Sequence, residues 1–113
     1  MDWRPQPGTS VPFASVADYA GTKAALVGYA KGIARDLGPR NITVNVVQPG
    51  IMPTDMAAEV AGELPMREAI LGLHPIRRIA TLEEVAGTVC FLAGPSAGYI
   101  TGEAISVSGG VGI

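Results

Sequence analysis

Apolar positions in the first third of the chain repeat with the spacing of an α-helix. Four of them fall three or four residues apart and are expected to face a core: Leu26, Ala30, Ile33 and Leu37. Ser15, followed three residues later by Asp18, resembles a capping box, and Gly38-Pro39 is a helix stop signal. The pattern therefore predicts a long helix that begins just after Ser15 and ends at Gly38-Pro39.

A second helix is indicated further along the chain. Thr81 and Glu84 have the spacing of another capping box, and Gly94-Pro95 supplies a stop signal. Its apolar repeat is expected to lie on the buried side: Val85, Val89 and Leu92. We expect this helix to run to about Ala93.

Two short stretches have the composition of β-strands. Residues Ile42 to Val47 are rich in β-branched side chains with little alternation, which is typical of a parallel strand covered on both faces. Ala104 to Val107 is predicted to be a final short strand. Because a helix-containing crossover connects the two, the βαβ arrangement predicts parallel neighbours with a right-handed connection. Gln48-Pro49-Gly50 would end the first strand at its carboxyl edge, where open α/β sheets bind ligands.

The segment from Ile51 to Ala80 has the composition of a mobile lid. Two short helices are predicted in it, Met56 to Leu64 and Met66 to Leu73, broken by Pro65 and Pro75. His74 has no partner at metal-ligand spacing, so we interpret it as a loop residue rather than a base or a ligand.

Composition places the chain among single folded domains. It has 113 residues, of which 48% are hydrophobic and 16% charged, so a substantial buried core is expected. The formal net charge of -2 gives no basic footprint for nucleic acid. Arg77-Arg78 is interpreted as part of a solvated loop.

The sequence gives no sign of a membrane or secretory segment. The first residues contain no apolar run, and the most apolar window, Val85 to Ala93, is far shorter than the ~20 residues that span a bilayer. We expect a cytoplasmic protein. Its single cysteine, Cys90, is expected to be a buried core thiol.

Tyr19 and Lys23 form the candidate catalytic pair. Residues four apart lie one turn apart on the same face of a helix. A nearby ammonium group stabilises a phenolate and lowers the phenol's pKa from its ordinary value of ~10, which would suit Tyr19 to acid/base chemistry. By itself this spacing is also typical of a solvated helix face.

The surrounding motifs favour the chemical interpretation. They follow one another in a set order: Tyr19-x-x-x-Lys23, Asn41 to Val47, Pro49-Gly50 with Thr54, Tyr99-Ile100-Thr101-Gly102 and Gly109-Gly110. In these motifs the chain resembles the C-terminal part of the short-chain dehydrogenase/reductase family, and most of all its ketoreductases of the 3-oxoacyl-(acyl-carrier-protein) reductase type. The resemblance implies a Rossmann-type fold and hydride transfer between NAD or NADP and a carbonyl or secondary alcohol.

The resemblance also implies roles for individual residues. Tyr19 would be the acid/base, and Lys23 would lower its pKa and bind the ribose of the nicotinamide nucleotide. Pro49 and Gly50 would shape the turn beside the nicotinamide. Ile51 would meet the carboxamide through its backbone, and Thr54 would reach the amide or the pyrophosphate. No metal site is expected.

The chain departs from the family pattern in its first part. No glycine-rich turn between a strand and a helix precedes Tyr19, and Gln6 stands where the family has a serine that polarises the substrate oxygen. Residues 1–14 are predicted to be irregular. The predicted fold class is α/β: residues 15–113 form the C-terminal part of a Rossmann-type doubly wound parallel sheet. This part has two strands, two main helices and a mobile substrate loop, and lacks the N-terminal glycine-rich βαβ unit.

Two functions stay open on the sequence. One is an oxidoreductase, or a fragment of one. The other is a catalytically inactive subunit that acts as an oligomerisation module and pairs with itself or with a full-length reductase. Small residues on the first helix suit such an interface or ordinary packing within one chain: Gly21, Ala24, Ala25, Gly28 and Gly32. Gly94-x-Ser96-x-Gly98 matches the nucleophile elbow of hydrolases, but a helix precedes it and no histidine follows, so we reject that function.

Overall fold

The described residues, 17–52 and 64–111, fold into three α-helices and two β-strands in this computed structural model. In chain order the elements are α1 (Ala17–Leu37), β1 (Val46–Pro49), α2 (Leu64–Gly72), α3 (Leu82–Ala93) and β2 (Ala104–Val107), with 3₁₀ turns at Gly38–Arg40 and Pro95–Ala97. The predicted irregular segment 1–14 and most of the predicted helix 56–64 lie outside the described residues. None of the helices seen in these two ranges is both long and apolar enough to cross a membrane.

The two strands pair in parallel, as the βαβ pattern predicts. Val46 lies opposite Ala104 and Pro49 opposite Val107, so both strands end at the same edge. The crossover between them contains α3, which contacts both strands. The α/β fold class is confirmed, and β2 has the predicted bounds.

The predicted bounds of β1 are wrong. The strand covers Val46–Pro49 rather than Ile42 to Val47, because the preceding residues bond to the loop before β2 instead of to the strand itself. Val44 accepts from the Gly102 amide at 2.8 Å and its own amide donates to the Thr101 hydroxyl at 3.0 Å. The strand can end at a proline because the next amide, that of Gly50, continues the ladder to Val107.

Asn45 fastens the two chain segments together just before the strands begin. Its side-chain amide donates to the Ile100 carbonyl at 3.0 Å, and its side-chain oxygen accepts from the Glu103 amide at 3.1 Å. One amide side chain thus satisfies two backbone groups on the opposite segment, which explains a polar residue inside a β-branched run.

Helix α1 ends where the sequence predicts, and Ala30 is buried as predicted, but the rest of its buried face is different. The buried residues are Ala20, Ala30 and Ala34, whereas Leu26 is 51% exposed. Ile33 and Leu37 are half-buried. A Cβ atom at Gly102 would lie 3.7 Å from Cβ of Ala34, an ordinary van der Waals separation, so the loop before β2 packs against this part of α1.

The predicted capping box and the predicted end of helix α3 are confirmed. The Glu84 amide donates to the Thr81 hydroxyl at 3.2 Å, and the Thr81 amide donates to the Glu84 carboxylate at 2.9 Å. Two burial predictions on this helix are wrong, because Val89 and Cys90 are exposed. No described element covers the side of α3 on which they lie.

Helix α2 begins two residues earlier than predicted and includes Pro65. A proline in the first turn of a helix is tolerated, since its missing N–H would have no acceptor within the helix there. Of residues 67–72, the part of this helix whose side chains are described, Ile70 is the buried apolar residue.

The core of the described region is small. Its buried apolar residues are Ala20, Ala30, Ala34, Ile70 and Ala97, and no large side chain is completely buried among the residues of these ranges whose side chains the structure describes. Two strands and three helices therefore enclose little apolar volume, and large apolar side chains remain exposed on the helices.

Candidate functional site

The carboxyl edge of the sheet forms a tight turn around Gly50. The Gly50 amide donates to the Val107 carbonyl at 2.9 Å, so the chain after β1 stays against the end of β2. A Cβ atom at position 50 would lie only 2.8 Å from Cα of Ser108, a separation that real Cβ atoms essentially never show. Only glycine fits this turn without a backbone shift.

Ile51 carries the backbone groups that follow the turn. Its carbonyl accepts from the Ala80 amide at 3.2 Å, which connects the turn to the loop before α3. Its amide finds no acceptor among the described residues. This turn therefore offers one backbone donor beside a position from which a side chain is excluded.

Tyr19 and Lys23 both lie on α1, one turn apart. The helix is continuous from Ala17 to Leu37, so the backbone places the two positions on one face of the helix, about 6 Å apart along its axis. Lys23 is exposed. The position of the Tyr19 side chain lies outside the described part of the structure, so the distance between phenol and ammonium stays a prediction.

The predicted site residues fall into two groups. Tyr19 and Lys23 belong to α1, while Pro49, Gly50 and Ile51 form the turn at the end of β1. The structure brings this second group together with Ser108. Thr54 lies outside the described residues. The catalytic and cofactor-binding roles of all six residues stay predictions.

Two buried polar residues near this edge were not predicted as part of the site. Gln48 is 7% exposed, and its side-chain oxygen has no hydrogen-bond partner in the described part of the chain. Ser108 is equally buried and packs against the turn at Gly50. A polar residue at the end of an apolar strand was the signal available for Gln48. For Ser108 the available signal was the glycine pair Gly109-Gly110 that follows it.

His74 lies in a loop, as predicted, but it is not a solvated residue. It is 4% exposed, and its Nδ1 lies 2.8 Å from the Ile70 carbonyl at the end of α2. In the two described ranges, no three histidine, cysteine or acidic residues are close enough to hold a metal ion.

Arg78 and Glu84 form an exposed ion pair next to the site. Two guanidinium nitrogens of Arg78 contact the two carboxylate oxygens of Glu84, at 2.6 and 2.9 Å. The hydrogen bond from Arg78, followed by that from the Thr81 amide, lowers the pKa of Glu84 to about 2, and Glu84 raises the pKa of Arg78 above its ordinary value. Both arginines of Arg77-Arg78 are exposed, so the interpretation as a solvated loop is confirmed, with Arg78 also fixing the start of α3.

Family comparison identifies relatives over nearly the whole chain. The family described as enoyl-(acyl carrier protein) reductase matches residues 8–112. The cyclic-di-GMP-binding biofilm dispersal mediator protein of Escherichia coli is 49% identical over 105 residues. The 3-oxoacyl-[acyl-carrier-protein] reductase FabG of Salmonella typhimurium is 44% identical over 98 residues.

Solved structures of the same kind superpose closely on the chain. A short-chain dehydrogenase/reductase from Serratia marcescens matches with a TM-score of 0.85 and 46% identity, over 96% of this chain and 44% of that one. A blue fluorescent protein from a metagenomic library, in complex with NADPH, matches with a TM-score of 0.81 and 39% identity, over 90% of this chain and 40% of that one.

The chain is much shorter than these relatives. The alignments cover 93% of this chain but 43% of the Escherichia coli protein, and 87% of this chain but 39% of the Salmonella reductase. The chain therefore spans about two fifths of the length of the curated relatives that it matches.

Proposed function

The chain belongs to the short-chain dehydrogenase/reductase family, and from that premise we propose that it provides the proton-transfer and nicotinamide-facing part of an NAD(P)-dependent oxidoreductase. The reaction would interconvert a carbonyl compound and a secondary alcohol. The observation that carries the proposal is the turn after β1, where Gly50 packs against Ser108 and leaves the Ile51 amide without an acceptor among the described residues.

Tyr19 is proposed to move the proton. When bound, a reduced nicotinamide would supply the hydride to the carbonyl carbon. The Tyr19 phenol donates its proton to the carbonyl oxygen as negative charge develops there, and in the oxidation direction it takes the proton back from the alcohol. Lys23, one helical turn away, would stabilise the phenolate form electrostatically and bind the ribose hydroxyls.

The turn after β1 is proposed to orient the nicotinamide. Pro49 and Gly50 would shape the turn beside the ring, the Ile51 amide would donate to the carboxamide oxygen, and Thr54 would reach the amide or the pyrophosphate. Fixing the ring in one orientation matters because hydride transfer requires the donor carbon to face the acceptor carbon at close distance. NAD and NADP both suit these residues, and the NADPH complex of a relative supports this class of cofactor.

The proposal is tested by cofactor titration combined with one conservative substitution. Purified chain is titrated with NADH and NADPH, cofactor fluorescence is followed, and turnover of a 3-oxoacyl substrate is measured. Tyr19→Phe is expected to keep cofactor binding and to reduce turnover by about 10²- to 10⁴-fold, the usual contribution of a positioned acid. Tyr29→Phe on the exposed part of the same helix is the control and should behave as the unsubstituted chain. Equal turnover in Tyr19→Phe would refute the assigned role.

A second candidate function is an inactive interaction module. Its support is the exposed apolar surface of α1, where Tyr29 is 70% exposed and lies next to the exposed small residues Gly28 and Gly32. Such a subunit would pair with itself or with a full-length reductase. Saturable cofactor binding favours the enzyme, whereas no binding together with co-purification with a full-length reductase favours the module.

We propose that the protein acts in the cytoplasm on a small molecule, without a nucleic-acid partner. The cytoplasm holds the nicotinamide cofactors on which the proposed reaction depends. Fractionation of cells that express a tagged chain tests the location, and recovery with the membrane fraction would contradict it.

A further inference from the structure

A three-residue strap, His74-Pro75-Ile76, connects the end of α2 to the glycine turn Ser108-Gly109-Gly110 after β2. The Ile76 amide donates to the Gly109 carbonyl at 3.0 Å. The glycine turn follows β2 at the sheet edge where Gly50 packs against Ser108. The strap therefore links α2, through backbone contacts, to the turn that the proposed function assigns to the nicotinamide.

The His74 ring is placed between the two structures that it connects. A carbonyl oxygen only accepts, so the 2.8 Å contact with Ile70 requires that Nδ1 carries the proton. The same Ile70 carbonyl also accepts from the Leu73 amide, so the ring adds a second donor to the last turn of α2. On its other side the ring lies against the glycine turn, because a Cβ atom at Gly109 would be 3.6 Å from Cδ2 of His74.

The glycine turn is shaped to receive this strap. Gly109 and Gly110 have φ angles of +63° and +90°, values that other residues rarely adopt. A Cβ atom at Gly110 would lie 2.8 Å from Cγ of Pro75. The turn thus has both the left-handed backbone and the lack of side chains that allow the strap to sit directly against it.

We propose that His74 is a positioning residue that fixes the C-terminal end of α2 to the glycine turn and so determines where α2 stands relative to the turn assigned to the nicotinamide. The second half of this statement rests on the proposed function, which assigns the turn after β1 to the nicotinamide, and on the expectation from the sequence that residues 51–80, which include α2, form the substrate loop. His74 touches neither cofactor nor substrate in this role. It acts through Ile70 on one side and Gly109 on the other.

The first test is amide hydrogen exchange in the full chain, without cofactor. His74→Leu removes the donor to Ile70 and is expected to speed exchange of the α2 amides about tenfold or more, while the α3 amides keep their rates. His74→Asn retains an N–H donor near the position of Nδ1 and is expected to restore most of the protection. Leu73→Asn, at the exposed neighbouring residue, is the matched control and should leave both helices unchanged.

The second test disturbs the connection between the strap and the glycine turn from the side of the turn. Gly110→Ala forces Pro75 away and is expected to accelerate α2 exchange as His74→Leu does. If the two residues belong to one connection, the double variant should exchange little faster than either single variant. Fully additive effects would show two independent contacts and would overturn the proposal.

The functional readout is the division between KM and kcat. In the oxidoreductase assay His74→Leu is expected to raise the KM of the carbonyl substrate about tenfold with kcat within about twofold, since the proton donor is untouched. If the unsubstituted chain shows no turnover, the proposed function is refuted. The hydrogen-exchange result then tests by itself whether His74 fixes α2 to the glycine turn. Equal loss of protection in α2 and α3, or α2 amides already unprotected in the unsubstituted chain, would overturn the positioning role.

Discussion

At the scale of single residues, the turn after β1 depends on the absence of one side chain. Pro49-Gly50 identifies this turn from the sequence, but the reason for glycine lies 58 residues away, at Ser108. Local signals of this kind are readable because they involve neighbours in sequence. The long-range contacts that require glycine at such a position cannot be read from the sequence, since they depend on which distant residue packs there.

Gly50→Ala is expected to destabilise the fold. The added methyl group must move the Ser108 backbone, and forcing an extra carbon into a packed position costs about 1–3 kcal/mol of unfolding free energy. Gly28→Ala is the matched control: it meets nothing within 4 Å, lies inside α1 and should stabilise the helix by about 0.5–1 kcal/mol. Urea unfolding of both variants measures these changes, and equal midpoints for Gly50→Ala and the unsubstituted chain would contradict the steric argument.

Asn45 shows how a residue that looks out of place in the sequence can hold two segments together. Asn45→Ala leaves the part-buried Ile100 carbonyl without its partner and also removes the exposed bond from the Glu103 amide, so it is expected to cost about 1–3 kcal/mol of unfolding free energy. Thr101→Val removes the single, exposed acceptor of the Val44 amide and should cost less, because water can replace it. Denaturant unfolding that ranks the two variants in the opposite order would refute this assignment.

At the scale of elements, helix ends were predicted well and helix faces poorly. The stop at Gly38-Pro39 and the capping box at Thr81 are carried by a few adjacent residues, and both were correct. Leu26 and Val89 fit the apolar period of their helices but are exposed, because periodicity identifies a stripe without showing what covers it. The strand β1 was displaced for a related reason: its partner β2 and the Thr101–Glu103 loop decide which residues join the ladder.

The start of α3 should respond to acid through Glu84. Its folded pKa is lowered from 4.5 to about 2, so its contribution to stability is fully present above pH 4.5 and is lost as the pH falls towards 2. Glu84→Gln keeps an acceptor at the cap but cannot titrate. It should therefore reduce the loss of unfolding free energy that the unsubstituted chain shows as the pH falls from 4.5 towards 2. Glu83→Gln on the same turn is the control and should show the same loss of unfolding free energy in acid as the unsubstituted chain. A carboxyl resonance of Glu84 that titrates near 4.5 in an NMR pH series would contradict the prediction.

At the scale of the whole chain, the fold class was predictable because the apolar patterns and helix caps of the sequence give the order strand, helix, strand. The amount of core was not, since composition gives the number of apolar residues but not how many can be enclosed. With 48% hydrophobic residues the chain has enough apolar material, yet two strands leave large side chains exposed on α1 and α3. Small folds that bury proportionally less surface have little stability to spare.

We therefore expect the isolated chain to self-associate or to melt without a sharp transition. Two apolar sites could drive association, one on α1 with Leu26 and Tyr29, and one on α3 at Phe91. Leu26→Lys and Phe91→Lys place the same charge on each site in turn, at residues whose exposure is 51% and 50%, so neither substitution removes much burial within the chain. Sedimentation velocity should show a shift towards monomer for the variant whose substituted site forms the contact, because an unpaired charge in an apolar interface is costly. A cooperative melt of a monomeric unsubstituted chain would refute this expectation, and it would mean that the alanine-lined core of α1 is sufficient by itself.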